Sequence, residues 1–189
     1  MKKIILASQS PRRKELLKKL HIDFSAVSPN YDEKINTDEF SEKLIENIAM
    51  QKALSILDFV SQCIVISADT VVVCENKILG KPKNETQAVK MLELLSGKTH
   101  KVVTSVFIID SETKKSDIRS VTSYVTFNKL DKATIENYVN TCKPLDKAGS
   151  YGIQELDDTF IKKVEGSFDN IVGLPTETVK EMIDNIIQK

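Results

Sequence analysis

Two periodicities of apolar residues run along the chain and predict its elements. Short runs of β-branched and other apolar residues are typical of buried strands, and longer segments with apolar residues three or four positions apart are typical of helices. The predicted strands cover residues 3–7, 22–27, 64–66, 71–73, 78–79, 102–110, 118–127 and 160–164. The predicted helices cover residues 11–20, 40–57, 84–95 and 131–139, and a last one begins at Pro175. Strands and helices alternate except at two hairpins, so we expect one α/β domain over residues 1–189 with a mixed sheet and flanking helices.

Recognisable caps mark the starts of three helices. Ser10 precedes Pro11, so the serine hydroxyl can accept a free backbone N–H while proline takes the first helical position. Asn84 is followed three residues later by Gln87, and Asp131 precedes the fourth helix. These signals fix the starts of the helices more firmly than their ends.

Composition excludes several classes of protein. The 189 residues carry 27 basic and 27 acidic side chains, and a protein that binds nucleic acid through phosphate neutralisation usually shows a basic excess. Only two histidines occur, which disfavours a histidine-based metal site but leaves an oxygen-coordinated metal open. The first apolar run is too short for a signal peptide, and no segment is long and apolar enough to span a membrane. We therefore expect a cytoplasmic protein.

Asp69 lies between the β-branched runs 64–66 and 71–73, where an unpaired carboxylate would be costly to bury. Two interpretations are open. In the first, the strand ends at Ser67 and Asp69 occupies an exposed turn. In the second, Asp69 lies at a strand end or bulge that faces a cleft, as a metal ligand or general base.

Two adjacent arginines, Arg12 and Arg13, occupy the first turn of a predicted helix, where cationic side chains oppose the helix dipole. An anion bound at this helix start would explain them, because free N–H groups, guanidinium groups and the hydroxyls of Ser8 and Ser10 would converge on phosphate oxygens. The alternative is a solvated arginine pair that Glu15 offsets.

Other charged residues are ambiguous when taken singly. Lys52 falls near the apolar stripe of the 40–57 helix, where a snorkelling lysine is the alternative to a functional one. Gly80-Lys81 is not a P-loop, because no GxxxxGK[ST] pattern surrounds it. Glu33 stands in a polar loop that is typical of solvated charges.

Taken together, these residues suit metal-assisted attack of water on a phosphoanhydride. The cations would neutralise a polyphosphate, and the two acids would hold a divalent metal. The candidate cations are Arg12, Arg13, Lys52 and Lys81, and the candidate acids are Glu33 and Asp69.

Five blocks of sequence carry a family resemblance: residues 6–13 (LASQSPRR), 67–72 (SADTVV), 79–82 (LGKP), 146–154 (DKAGSYGIQ) and 173–175 (GLP). Together they resemble the Maf family of nucleoside triphosphate pyrophosphatases. They occur in the family's order, and the resemblance extends over nearly the whole chain. It implies a mixed, twisted α/β fold with two lobes around an active-site cleft, and homodimers are common in the family.

The resemblance also implies an activity and its residues. Family members hydrolyse nucleoside triphosphates to the monophosphate and pyrophosphate with Mg²⁺ or Mn²⁺, as a house-cleaning step in nucleotide metabolism. The family's catalytic acid matches Asp69, and its second metal ligand matches Glu33. The phosphate-binding residues match Ser8, Arg13, Lys52 and Lys81.

Three positions resemble the dTTP/UTP pyrophosphatase subgroup, namely Arg12, Thr70 and Gln154. A sister group that prefers 7-methyl-GTP carries Trp, Gln and Glu there. An amide such as that of Gln154 can pair with both donor and acceptor edges of a pyrimidine. We therefore expect dTTP, UTP and modified pyrimidine nucleotides as substrates, without nucleic-acid or membrane partners. The alternative is a nucleotide-sensing regulator of cell division without significant turnover.

Overall fold

The computed structural model of the protein describes residues 2–32 and 39–188. Seven strands form one mixed sheet in the order β2-β1-β3-β5-β6-β7, and β4 pairs with β3 outside that path. The strands are β1 (Lys3–Ala7), β2 (Phe24–Val27), β3 (Cys63–Cys74), β4 (Lys77–Leu79), β5 (Thr99–Asp110), β6 (Ser116–Phe127) and β7 (Ile161–Glu165). β1 runs parallel to β2 and β3, and the other pairings are antiparallel, so the predicted mixed sheet is confirmed.

Six α-helices flank the sheet within the described residues. They are α1 (Pro11–Lys18), α2 (Glu42–Leu54), α3 (Glu85–Leu95), α4 (Lys132–Cys142), α5 (Phe168–Val172) and α6 (Thr176–Gln188). The three predicted caps are confirmed: the side chains of Ser10, Asn84 and Asp131 each accept a backbone N–H three residues on. The sequence did not predict α5, which is too short to show a helical period. The described residues also form four short 3₁₀ turns, at Leu57–Phe59, Pro144–Asp146, Ala148–Ser150 and Ile153–Glu155.

The two runs predicted as separate strands belong to one strand, β3, and this corrects both interpretations of Asp69. β5 pairs with β3 without interruption from Ile64 to Val73, through Asp69 opposite Ser105. Asp69 therefore lies in the middle of a strand, neither in an exposed turn nor at a strand end or bulge, and is only 5% exposed.

A gap in the sheet explains how this carboxylate reaches a cleft. Because β5 occupies one edge of β3, both β1 and β4 pair with the opposite edge. The β1 pairing ends at Ile66 and the β4 pairing begins at Val72, so residues 67–71 have no strand partner on that edge among the described residues. The sheet is open there, between the C-terminal ends of β1 and β4.

The β3–β4 hairpin fixes one side of this gap. Glu75 and Asn76 both have positive φ, at 51° and 62°, which is the backbone of a two-residue type I′ turn. The turn sets Cys74 opposite Lys77 and brings Leu79 opposite Val72. Gly80 and Lys81 therefore leave β4 at the edge of the gap.

Side chains of β3 alternate between the two faces of the sheet. One face, which α1, α3, α4, α5 and α6 cover, buries Ile64, Ile66, Ala68 and Val72. The intervening side chains lie on the face that α2 covers, where two smaller clusters include Ile45, Ala49 and Ala53 of α2. By this alternation Asp69 faces α2 and Thr70 faces the opposite side.

The structure also shortens one helix. The predicted 40–57 helix is confirmed only as Glu42–Leu54, because Ser55 caps it and a 3₁₀ turn follows. No helix among the described residues is long and apolar enough to cross a membrane.

Candidate active site

A cleft of about 820 Å³ opens at the gap in the sheet. The β1–α1 junction forms one wall, and the loop after β4 with the 3₁₀ turns of residues 144–155 forms the other. Eight of the predicted site residues line it: Ser8, Arg12, Arg13, Lys52, Asp69, Thr70, Lys81 and Gln154. The ninth, Glu33, lies outside the described residues.

Lys52 and Asp69 form a buried ion pair at the base of the cleft. Lys52 Nζ lies 2.6 Å from Asp69 Oδ1, and the residues are 4% and 5% exposed. A snorkelling lysine would reach solvent, so that interpretation of Lys52 is wrong. Asp69 Oδ2 accepts no hydrogen bond from the described residues, so this oxygen can bind a water molecule, a metal ion or a substrate.

The β1–α1 junction presents hydroxyl and N–H groups to the cleft. Ser8 is buried, and its Oγ accepts the backbone N–H of Ser10 at 3.1 Å. Ser10 Oγ in turn accepts the N–H of Arg13 at 3.4 Å, as the cap of α1. Since Ser8 Oγ accepts in that bond, its own proton is free to be donated toward the cleft.

The two arginines have different surroundings. Arg13 donates from Nε to the carbonyl of Gly173 at 2.9 Å and from Nη2 to Thr70 Oγ1 at 3.1 Å. Arg12 instead crosses the cleft mouth to Asp146, with Nη1 at 3.0 Å from Oδ2. Both contacts order the guanidinium groups, which argues against a solvated arginine pair.

Asp146 begins a chain of charges along the second wall. Its Oδ1 lies 3.1 Å from the Nζ of Lys147, which also lies 3.1 Å from Glu155 Oε1. Burial raises the pKa of Asp146, but the hydrogen bonds from Lys147 and Arg12 outweigh this and leave the pKa below its usual range. Asp146 is therefore charged at neutral pH.

The hydroxyl of Tyr138, on α4, holds the 3₁₀ turn that carries Gln154. Tyr138 donates its hydroxyl proton to Glu155 Oε2 at 3.0 Å and accepts the N–H of Gly152 at 3.1 Å. Burial raises the pKa of Tyr138, so the phenol keeps its proton. Gln154 itself is exposed on the cleft surface, where it is accessible to a ligand.

Gly149 allows the second wall to approach the sheet. Its φ is +68°, and a Cβ at this position would lie 2.8–2.9 Å from the side chain of Val72. Its N–H donates to the carbonyl of Gly80 at 3.1 Å, which ties the wall to the loop after β4. The glycine therefore sets the width of the cleft.

Charge in the cleft is predominantly positive. Six cationic side chains line it against two carboxylates within the described residues. The cations are Arg12, Arg13, Lys52, Lys81, Lys83 and Lys147, and the carboxylates are Asp69 and Asp146. A cleft of this composition suits a polyanion.

The described residues fit a divalent cation in part. They contain no group of three or more His, Cys, Asp or Glu side chains that could hold a metal. Mg²⁺, however, is commonly held by one or two protein carboxylates together with substrate phosphates and water. Asp69, with one oxygen facing the cleft, can supply one such carboxylate.

Sequence reasoning assigned no role to Lys147 and Asp146, although both stand in the 146–154 block. Neither residue type is distinctive in a loop. The one local signal was the pair of opposite charges that these two residues form near Gly149. Arg12, which pairs with Asp146, is 134 residues away in sequence.

Comparisons with known proteins agree with this geometry. Residues 3–186 match the family model described as "Maf-like protein". The chain belongs to the Maf-like protein family. The predicted family and fold class are thereby confirmed.

Several similar Maf-like relatives carry one name, dTTP/UTP pyrophosphatase. The relative from Alkaliphilus oremlandii is 46% identical over 176 residues, which cover 93% of this chain and 91% of the relative. The relative from Thermosipho melanesiensis is 47% identical over 182 residues, covering 95% and 96%. One from Clostridium botulinum strain Eklund 17B is 40% identical over 187 residues, covering 98% and 100%. The predicted resemblance to that subgroup is confirmed.

Proposed function

We propose that the protein hydrolyses nucleoside triphosphates, with dTTP, UTP and modified pyrimidine nucleotides as substrates, to the nucleoside monophosphate and pyrophosphate. One observation carries the proposal. The Asp69 carboxylate, paired with the buried Lys52, lies at the base of a cleft that, within the described residues, is lined by six cationic side chains and two carboxylates. Relatives that are 40–47% identical over most of the chain and bear the name dTTP/UTP pyrophosphatase support it.

In this proposal the cations bind the triphosphate. Ser8, Arg13, Lys52 and Lys81 contact its phosphates, and Lys147 adds a further positive charge to the same cleft. Fixed positive groups of this kind stabilise the negative charge that develops on the leaving pyrophosphate. Because Arg13 and Lys52 are already ordered by hydrogen bonds, little reorganisation accompanies the reaction.

The bond that breaks joins the α-phosphorus to the oxygen that bridges to the β-phosphorus. A water oxygen forms the new bond to the α-phosphorus, and the bridging oxygen leaves with pyrophosphate. Asp69 Oδ2 accepts the proton that the water loses. The Lys52 ammonium group holds Oδ1 at 2.6 Å and keeps the carboxylate oriented toward the attacking water.

Asp69 and Glu33 would also hold a divalent cation, Mg²⁺ or Mn²⁺. When bound, the cation would polarise the phosphate oxygens and neutralise part of the substrate charge. The Asp69 carboxylate, with one oxygen that faces the cleft, is a suitable ligand for such a cation and supports this part of the proposal.

Base choice falls to Arg12, Thr70 and Gln154. Gln154 lies on an exposed turn, and Arg12 reaches across the mouth of the same cleft. An amide there can donate to and accept from the edge of a pyrimidine. Thr70 touches Arg13, so we assign it an indirect part.

The test is release of pyrophosphate from a panel of canonical and modified triphosphates, with and without Mg²⁺ or Mn²⁺. Wild-type protein should act on UTP and dTTP in preference to GTP and ATP, and only with metal. Asp69→Asn should abolish turnover and retain binding of UTP. Turnover by Asp69→Asn at the wild-type rate would refute the role of Asp69.

A nucleotide sensor is the second candidate, and the same experiment separates it. Binding of UTP under saturating metal without turnover by the wild-type protein would favour the sensor. We further propose a cytoplasmic enzyme that acts on free nucleotides, without nucleic-acid or membrane partners, as a homodimer.

A further inference from the structure

A chain of hydrogen bonds links the Arg13 guanidinium to the interior of the sheet. Arg13 Nη2 lies 3.1 Å from Thr70 Oγ1. Thr70 Oγ1 lies 3.0 Å from Thr104 Oγ1, across the β3–β5 pair in which these two residues are opposite each other. Thr104 Oγ1 lies 3.0 Å from the carbonyl oxygen of Asn170, and Thr104 is fully buried.

The two ends of this chain fix the direction of every bond in it. A guanidinium group can only donate, and a carbonyl oxygen can only accept. Thr104 therefore donates its one proton to Asn170, which leaves its oxygen to accept the proton of Thr70. Thr70 in turn accepts from Arg13. The competing acceptor for the Thr70 proton, the carbonyl of Gly173, is farther away at 3.4 Å.

The far end of the chain is rigidly held. The Asn170 side chain is fully buried and donates from Nδ2 to the carbonyl of Val102 at 3.0 Å and to Ser123 Oγ at 2.9 Å. These two bonds fix α5 to β5 and β6. The carbonyl of Gly173, which accepts from Arg13 Nε, directly follows α5. The contacts of Arg13 with Gly173 and Thr70 therefore depend on the position of α5.

We propose that Thr104 is a positioning residue for the proposed phosphate-binding group, Arg13. Thr104 does not line the cleft, so its part in binding is indirect. It orders the Thr70 hydroxyl so that its oxygen faces Arg13, and it ties that oxygen to α5. The inference rests on the proposed function, because it assigns Thr104 to the group that binds the triphosphate.

Thr104→Val removes the hydroxyl at nearly constant shape and leaves Thr70 free to turn toward Gly173. A hydrogen bond of this kind contributes about 1 kcal/mol, so we expect kcat/KM for UTP to fall by about fivefold. Thr104→Ser, which keeps the hydroxyl, should restore activity to within about twofold of wild type.

The matched control is Thr99→Val. Thr99 lies on the same strand and shares a cross-strand hydroxyl pair with Thr126 at 2.8 Å, but it does not line the cleft or contact Arg13. This variant should leave kcat/KM unchanged. Thermal unfolding of all variants separates a loss of function from a loss of folded protein.

A double-mutant cycle with Arg13→Ala decides the inference. If Thr104 acts through Arg13, Thr104→Val should change kcat/KM by less than about twofold in the Arg13→Ala background. An equal fall in both backgrounds would mean that Thr104 supports only the fold, and would overturn the inference. If the wild-type protein shows no turnover, the proposed function fails by itself. Calorimetric affinity for pyrophosphate, measured on the same four proteins, then tests the coupling in its place.

Discussion

Breaking the Lys52–Asp69 ion pair should destabilise the protein strongly. At 2.6 Å and an effective dielectric constant of about 20, two unit charges attract each other by about 6 kcal/mol. The cost of removing both charges from water offsets most of this attraction, so the intact pair contributes little net stability. Removing Lys52 leaves the Asp69 carboxylate buried without a cation paired to it among the described residues, at a cost of about 3–5 kcal/mol.

Lys52→Met is the direct perturbation, because methionine keeps much of the volume and removes the charge. We expect the free energy of unfolding in urea to fall by about 3–5 kcal/mol, with an unchanged dependence on urea concentration. The double variant Lys52→Met/Asp69→Asn should regain at least about 2 kcal/mol, since neither buried charge remains.

The control for this experiment is an exposed pair of similar length. Lys98 Nζ lies 2.8 Å from Glu75 Oε1, with side chains 40% and 64% exposed. Lys98→Met should therefore cost only a small fraction of the loss seen for Lys52→Met. Equal losses for the two lysines, or a double variant no more stable than Lys52→Met alone, would refute the buried-pair reasoning.

Four further variants test other parts of the structure. Arg13→Ala should lower kcat/KM for every triphosphate by about a hundredfold. Arg12→Trp should instead change the ratio of kcat/KM for UTP to kcat/KM for GTP. If both variants lowered kcat/KM equally for all triphosphates, the two arginines would only bind the phosphates and would not select the base. Burial lowers the pKa of His100 to about 4. The imidazole of His100 takes up a proton near pH 6.5 in the unfolded chain but only near pH 4 in the folded chain. The protein therefore loses about 3 kcal/mol of stability, fully present above pH 6.5, as the pH falls toward 4. His100→Gln should flatten that slope in urea unfolding, and an unchanged slope would contradict the burial argument. Gly149→Ala should cost about 2–4 kcal/mol from the left-handed backbone and the contact with Val72, and a neutral result by the same assay would mean that the turn can move.

Locally encoded features could be predicted from the sequence. Ser10, Asn84 and Asp131 mark helix starts because capping depends on residues within one turn. The hairpin between the predicted strands 71–73 and 78–79 depends on an equally local turn, at Glu75 and Asn76. The candidate acids and cations could be proposed from residue type and local pattern, but their assignment to one site came from the family resemblance, since spacing alone could not show that the residues meet.

Features that depend on packing could not be predicted. Asp69 was expected at an exposed turn or a strand end, because a carboxylate inside an apolar strand is costly to bury. Its partner Lys52 is 17 residues away in sequence, on helix α2, which packs on the face of the sheet toward which Asp69 points. Among the described residues, 67–71 lack a strand partner on the edge of β3 away from β5, because the β1 pairing ends at Ile66 and the β4 pairing begins at Val72. Tertiary structure alone therefore explains how one buried carboxylate is both paired and open to a cleft.

The most direct test of the proposed activity is the identity of the phosphorus products from UTP. Phosphorus-31 NMR can follow UTP with Mg²⁺ and the wild-type protein, with Asp69→Asn as the control. We predict that UMP and pyrophosphate appear in equal amounts without orthophosphate, and that Asp69→Asn leaves UTP intact. Formation of UDP with orthophosphate, or the same products at the same rate from Asp69→Asn, would contradict the account.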